Sequence, residues 1–316
     1  MARVLRINPR EKFATWEDAL NAFLREKQAG GLAERSLEDY AWHIRRFFTR
    51  TPDAWPHPEA LEEAVLGYFA ELAANKPSFF NTARRKLNAF FAWAMHMGII
   101  PSNPVVKIKQ RREGEVPRAA AEEELAALVS FLKRRQDTFT GLRDLALLLF
   151  SLDTGVRPSE ALALLPEHFN LRSYEAYIPA HISKTRVART VVFSAQTAKH
   201  VARLINARPA VWGPAVPVFC SENGQRMLVS SWAHRLKRYS RELGINVTPY
   251  TLRHSAAILA LRSGATAFYV QKQLGHTSLN TTRRYATLVE ADLHRENSQC
   301  SPVNRLIQVR ERVRKL

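Results

Sequence analysis

The stretch Leu152-Asp153-Thr154-Gly155-Val156-Arg157-Pro158-Ser159-Glu160-Ala161-Leu162-Ala163-Leu164 joins two helical patterns through a turn. Gly155 stands where the first helix ends, and Arg157 sits in the turn before the next. That puts a guanidinium at a helix N-terminal corner, where backbone N–H groups also point outward. Such a group suits a phosphodiester, because its planar fork donates two parallel hydrogen bonds and keeps its charge at any physiological pH. Standing by itself, the same stretch reads more readily as a capping turn with a surface arginine.

Helical periodicity flanks the turn on both sides, over 121–134 and 142–152 before it and over 230–239, 251–263 and 267–274 after it, with Gly264 and Gly275 at the helix ends. Between these lies 174–193, rich in Tyr177, Ile178, Val187, Val191, Val192 and Phe193, which reads as a small antiparallel sheet with Lys184 near its turn. The first third is helical throughout. Thr15 with Asp18 has capping-box spacing ahead of Trp16, Leu20, Phe23 and Leu24, and Ser36 with Asp39 repeats the signal ahead of Tyr40, Ile44, Phe47 and Phe48. Two more apolar faces follow, one through Leu61, Val65, Leu66, Phe69 and Leu72, the other through Phe79, Phe80, Ala83, Leu87, Phe90, Phe91 and Ala94. Stripes of this kind are core between packed helices rather than platforms for stacked bases.

Pro101, Pro104, Gly114 and Pro117 surround Lys107, Lys109, Arg111 and Arg112, which reads as a basic linker able to let two domains close around a duplex. The expected fold class is mainly α with a small antiparallel β-sheet: an N-terminal helical bundle followed by an α+β domain. The expected boundaries are 8–100 for the bundle, 101–118 for the linker, 119–294 for the second domain and 295–316 for a tail. In that tail Leu306, Ile307, Val309 and Val313 stand among five basic residues, the pattern of a short docking helix.

A chain of 316 residues has room for two domains with cores of their own, and a hydrophobic share of 46% is that of a globular protein. Lys and Arg number 47 against 29 Asp and Glu, a formal charge of +18 that favours polyanions: DNA, RNA or an acidic membrane surface. Arg45, Arg46, Arg84 and Arg85 lie beside the aromatic stripes, either as solvated faces or as helix faces laid along a DNA backbone. No apolar run reaches the roughly 18 residues of a membrane span, and the first residues lack the apolar core of a signal peptide, so the cytoplasm is the expected location. Cys220 and Cys300 are far apart and outside any CxxC spacing, which argues against a disulfide framework or a cysteine zinc site.

Two further stretches carry chemistry: Thr248-Pro249-Tyr250-Thr251-Leu252-Arg253-His254-Ser255 and Leu274-Gly275-His276-Thr277-Ser278-Leu279-Asn280-Thr281-Thr282-Arg283-Arg284-Tyr285. With Thr154-Gly155-Val156-Arg157 and Glu160, they resemble the conserved boxes of the tyrosine recombinases, the superfamily of the phage integrases, Xer and Cre. The pattern there is TG-x-R-x-x-E, then TPH-x-LRH, then LGH-x-S-x-x-TT-x-x-Y. The first third is similar to that family's helical core-binding domain, in the 36–48 helix, in Asn88 to Trp93 and in Asn103-Pro104. Three separated motifs in order, at fitting distances, make the resemblance specific over nearly the whole chain.

The resemblance implies a DNA strand-exchange enzyme in which Tyr285 forms a 3′-phosphotyrosine and frees a 5′-hydroxyl. Arg157 and Arg253 would clamp the phosphate, His276 would bond the same oxygens, and Lys184 would protonate the departing 5′-oxygen. Glu160 would orient the arginine site, and His254 would pack or cap beside Arg253. The phosphotyrosine conserves the bond energy, so no metal, ATP or other cofactor is called for. The implied partner is double-stranded DNA, bound by a homotetramer on two sites, with accessory DNA-bending proteins as an option and no membrane.

One position departs from the family pattern. Tyr250 stands where the family has a histidine that helps accept the nucleophile's proton, and a phenol of pKa about 10 is a poor base at neutral pH. Tyr250 remains in the expected catalytic set as a phosphate donor. Two other outcomes fit the same residues: a DNA-binding protein on this scaffold that no longer cuts, and a monomeric relaxer of the type IB topoisomerase kind.

Overall fold

The computed structural model describes residues 13–113, 119–278, 285 and 303, and the chain divides into two compact units, Met1–Gly114 and Glu115–Leu316. The expected docking helix over 305–316 and the linker residues Gly114 and Pro117 lie outside the described residues.

Among the described residues, the first unit is a bundle of four helices, α1 (Trp16–Ala29), α2 (Glu34–Phe48), α3 (Pro58–Leu72) and α4 (Pro77–His96). Thr15 caps α1 as its spacing implies, accepting the Asp18 amide at 3.2 Å and donating its hydroxyl to the Asp18 carboxylate at 2.8 Å. α2 begins two residues before the Ser36 signal, with Ala33 as its cap and Glu34 in the first turn, where an acidic side chain meets the positive end of the helix dipole. Prolines open α3 and α4 at the position where a missing N–H is harmless. The core is aromatic: Phe23, Phe47, Phe48, Phe90 and Phe91 are fully buried, and Phe47 meets Phe91 edge-on, as Phe23 meets Phe90.

Residues 101–113, expected to be linker, are pinned to this unit. Val105 is fully buried in the aromatic core. Asn103 donates to the Asn88 side chain at 3.0 Å, and Asn81 exchanges two hydrogen bonds with the Arg111 backbone, at 2.8 and 2.9 Å. These side-chain amides satisfy backbone groups that the proline-rich segment cannot pair with a neighbouring strand or helix.

In the second unit, α5 (Glu122–Lys133), α6 (Phe139–Thr154), α8 (Ala195–Asn206), α9 (Val229–Leu243) and α10 (Pro249–Arg262) surround one core, with the short helices α7 (Pro158–Ala161) and α11 (Ala267–Leu274) at its edge. α6 is the centre, packing on α5, α8 and α10 and buried almost all round. Its one interior acid, Asp144, is fully buried and takes hydrogen bonds from Arg143, Arg235 and Tyr239, so a charge that burial alone would make costly is fully paired.

A three-stranded antiparallel sheet, in the order β1 (Phe169–Asn170), β2 (Glu175–Ile178), β3 (Arg189–Val192), packs beside α6 and α11. Ile178 pairs with Arg189, and Lys184 lies in the connection between β2 and β3 as expected. The fold is therefore mainly α with a small antiparallel sheet: a helical bundle followed by an α+β unit.

Candidate active site

Three chain segments meet at one carboxylate. α6 ends at Gly155, whose φ of 58° lies in the left-handed region and whose amide returns to the Ser151 carbonyl at 3.0 Å. A Cβ on Gly155 would stand 2.4 Å from a Leu274 methyl, so glycine is required both by backbone and by packing. The turn then delivers Arg157 as the cap of α7 and places Glu160, with no exposed surface, underneath it. Arg157 donates to Glu160 Oε1 at 3.0 Å, and the Lys184 amide approaches the same oxygen at 3.3 Å.

Arg189 completes this hub, donating to Glu160 Oε2 at 2.6 Å. The sequence motifs give no hint of Arg189. The available signal is strand alternation: Arg189 shares the inward face of β3 with the buried Val191, whereas Thr190 and Val192 point outward.

Arg253 projects from the first turns of α10 and is 6% exposed. It donates to the carbonyls of Gly155 at 2.6 Å and Leu274 at 3.0 Å, and it faces His276 Nε2 at 3.0 Å. Arg157 reaches the next carbonyl, that of Gly275, at 3.2 Å. Both guanidiniums are thus fastened to the Leu274–His276 segment, and each carries more N–H donors than these contacts use. Gly275 (φ 65°) lets Arg189 pack against the same segment, because a Cβ there would fall 2.7 Å from the Arg189 guanidinium.

Tyr285 joins the same cluster. It is 4% exposed, its hydroxyl lies 2.8 Å from His254 Nδ1, and its ring runs parallel to that of His276 with centroids 6.2 Å apart. His254, expected only to pack or cap beside Arg253, therefore faces the candidate nucleophile. Leu279 to Arg284 of the third box lie outside the described residues. Lys184 and Tyr250 present their side chains to solvent, Tyr250 with 57% of its surface exposed.

The electrostatics are those of an anion site. Two guanidiniums, Arg157 and Arg189, pair with the one carboxylate of Glu160, and Arg253 adds a third positive charge nearby. Burial pushes Arg253 down, and Arg157 beside it pushes further, to about 10. Burial, with Arg253 and Arg157, pushes His276 down to about 4. Burial alone would raise Glu160, but Arg189 and Arg157 hold its carboxyl below the usual range. A phosphate diester entering here would meet excess positive charge already in position.

The basic residues of the first unit divide. Arg84 donates to the Ile108 carbonyl, Lys107 pairs with Glu62, and Arg111 donates to the carbonyls of Ala73 and Asn75. Arg45, Arg85, Lys109 and Arg112 are exposed, and Arg46 lies over the Trp42 ring at 5.2 Å. Among the described residues, no helix is long and apolar enough to cross a membrane.

The chain is similar to known proteins along almost its whole length. It is 28% identical over 292 residues to the tyrosine recombinase XerD of Pseudomonas aeruginosa, covering 87% of this chain and 94% of that protein. It is 28% identical over 301 residues to XerD of Listeria monocytogenes serotype 4b, covering 90% and 98%. Among solved structures, an integrase of the transposon Tn1549 in complex with transposon right end DNA shares the fold, with a TM-score of 0.72 at 15% identity over 89% of this chain and 98% of that one. The profile of the phage integrase family matches residues 119–291, the part that contains the arginine hub and Tyr285. The chain belongs to the phage integrase family, the tyrosine recombinases.

Proposed function

We propose that this enzyme is a site-specific DNA recombinase that breaks and rejoins strands through a 3′-phosphotyrosine at Tyr285. The observation that carries this reading is the convergence of Arg157 and Arg253 on the Gly155 and Leu274–His276 backbone, with the Tyr285 hydroxyl held in the same cluster. Relatives named as tyrosine recombinases and neighbours solved with DNA support the same reading.

In the reaction, the Tyr285 oxygen bonds to phosphorus as the bond to the 5′-oxygen breaks. The transition state places additional negative charge on the non-bridging oxygens, and Arg157 and Arg253 stabilise it there with N–H donors fixed before the substrate arrives. His276, neutral across the physiological range, donates a hydrogen bond rather than a charge. Lys184, anchored by its own amide to Glu160, supplies the proton for the leaving 5′-oxygen. Glu160 and Arg189 hold Arg157 in place, and Tyr250 offers a hydroxyl at the rim. The substrate is double-stranded DNA, and a homotetramer on two sites, with or without DNA-bending accessory proteins, performs the full exchange.

The test is a duplex taken from DNA flanking the gene and nicked beside the cleavage position, so that the released strand diffuses away. An SDS-stable protein–DNA adduct that is lost in Tyr285→Phe is the expected result. Specific binding by the wild-type protein without an adduct would overturn the proposal in favour of a DNA-binding protein that does not cut.

A further inference from the structure

We propose that His254 is the catalytic base of this site, taking the proton from the Tyr285 hydroxyl as that oxygen attacks phosphorus. The inference rests on Tyr285 being the nucleophile, as proposed above. In the balanced step, the Tyr285 O–P bond forms while the P–O5′ bond breaks. The phenol proton passes to His254 Nδ1, and a Lys184 proton passes to the 5′-oxygen. Religation runs the same transfers in reverse.

Geometry selects His254. A phenol of ordinary pKa, about 10, is almost wholly protonated at neutral pH, so attack needs an acceptor within hydrogen-bond reach. His254 Nδ1 stands 2.8 Å from that hydroxyl, and at 4% exposure Tyr285 has little access to bulk water that could do the same. His276, the other imidazole nearby, lies face to face with the Tyr285 ring and turns its Nε2 to Arg253 instead. Tyr250, one helical turn before His254 on α10, is largely in solvent and is itself a phenol.

The ionisation state agrees with the geometry. Burial, and then the adjacent Arg253, hold His254 below the ordinary histidine value, so its ring is neutral at pH 7 and can accept a proton. The groups facing it are Arg253 on its own helix, Tyr285, and His276 from the segment after α11. A phosphate diester bound to Arg253 would offset the cation beside His254 and strengthen it as a base once substrate is present. Because His254 directly follows Arg253, the base and half of the phosphate clamp move as one piece of helix.

The experiment uses the full-length protein on the nicked duplex described above. His254→Gln and His254→Asn are compared with wild type from pH 6 to 9. The amide of either variant can accept the tyrosine hydrogen bond, and neither can take its proton. Both are expected to form adduct at least about a hundredfold more slowly at pH 7. Their rates should rise about tenfold per pH unit as the phenolate fraction grows, where the wild-type rate is level. Imidazole added to His254→Ala should restore adduct, and a duplex with sulfur in place of the bridging 5′-oxygen should not rescue His254→Gln, although it rescues Lys184→Ala. Unfolding midpoint and affinity for the duplex check that each variant is folded.

Rates within twofold of wild type with an unchanged pH profile, recovery in His254→Asn, or rescue of His254→Gln by the sulfur substrate would each overturn the assignment while leaving Tyr285 as nucleophile. Absence of a wild-type adduct would instead overturn the strand-breaking reading, and this inference with it.

Discussion

Glu160 answers Arg157 through one oxygen and Arg189 through the other, without contact with solvent. Removing a single partner from a buried arrangement of this kind leaves an uncompensated charge, which typically costs about 3–5 kcal/mol. Glu160→Gln should therefore lower stability by that order in denaturant unfolding. Its cost should shrink as pH falls below about 4.5, where the unfolded carboxylate protonates and the wild-type pairing loses its advantage. An equal cost at pH 3 and pH 7 would contradict the ion-pair account. His276 gives the second pH dependence. Its folded value of about 4 lies below the unfolded 6.5, so the unfolded chain binds the proton first as pH drops. Stability should decline between pH 6.5 and 4 and then level off from this source, and His276→Gln should flatten that decline.

At the scale of elements, the joint between α6, α7 and α11 sets the position of the arginines. Gly155 and Gly244 are both left-handed helix caps, but a Cβ would strike Leu274 at Gly155 and meet nothing within 4 Å at Gly244. Alanine at either position costs about 1 kcal/mol through the backbone, and Gly155→Ala adds about 1–3 kcal/mol of overpacking. Gly155→Ala should thus show the larger fall in thermal midpoint and also weaken adduct formation, while Gly244→Ala keeps its activity; equal midpoints would refute the close-packed joint.

The elements also show what sequence carries. Helices with an apolar stripe and a cap, such as α5 and α11, were legible to within a residue or so. α8 was not, although Ala198, Val201 and Leu204 recur at helical spacing behind the Ser194 cap, since its short apolar stripe follows directly on the strand pattern of 189–193. Arg157, Arg253, His276 and Tyr285 were legible as motifs because their spacings are distinctive. Arg189 and the orientation of His254 were not, since one depends on which face of a strand turns inward and the other on a contact 31 residues away.

For the whole molecule, a formal charge of +18 implies that binding is governed by phosphate neutralisation. Part of that charge is engaged within the first unit: Arg84 and Arg111 donate to backbone carbonyls that fix the 101–113 segment, and the exposed Lys107 pairs with Glu62. Charge reversal at the exposed Arg45, Arg85, Lys109 or Arg112 should reduce the salt slope of binding, each phosphate contact contributing about −0.9 to the log–log slope. The same change at Arg111 should act mainly on stability. An affinity insensitive to salt between about 50 and 200 mM would exclude a backbone-tracking surface.

Covalent attachment of DNA to Tyr285 can be read from mass spectrometry of the DNA-linked peptide recovered from the trapped adduct. Expected is a single modified peptide containing Tyr285, joined through its phenol oxygen to a 3′-phosphate, with a free 5′-hydroxyl on the other strand end. Attachment at any other residue, or through a 5′-phosphate, would contradict the assignment of Tyr285 and of the arginine hub around it.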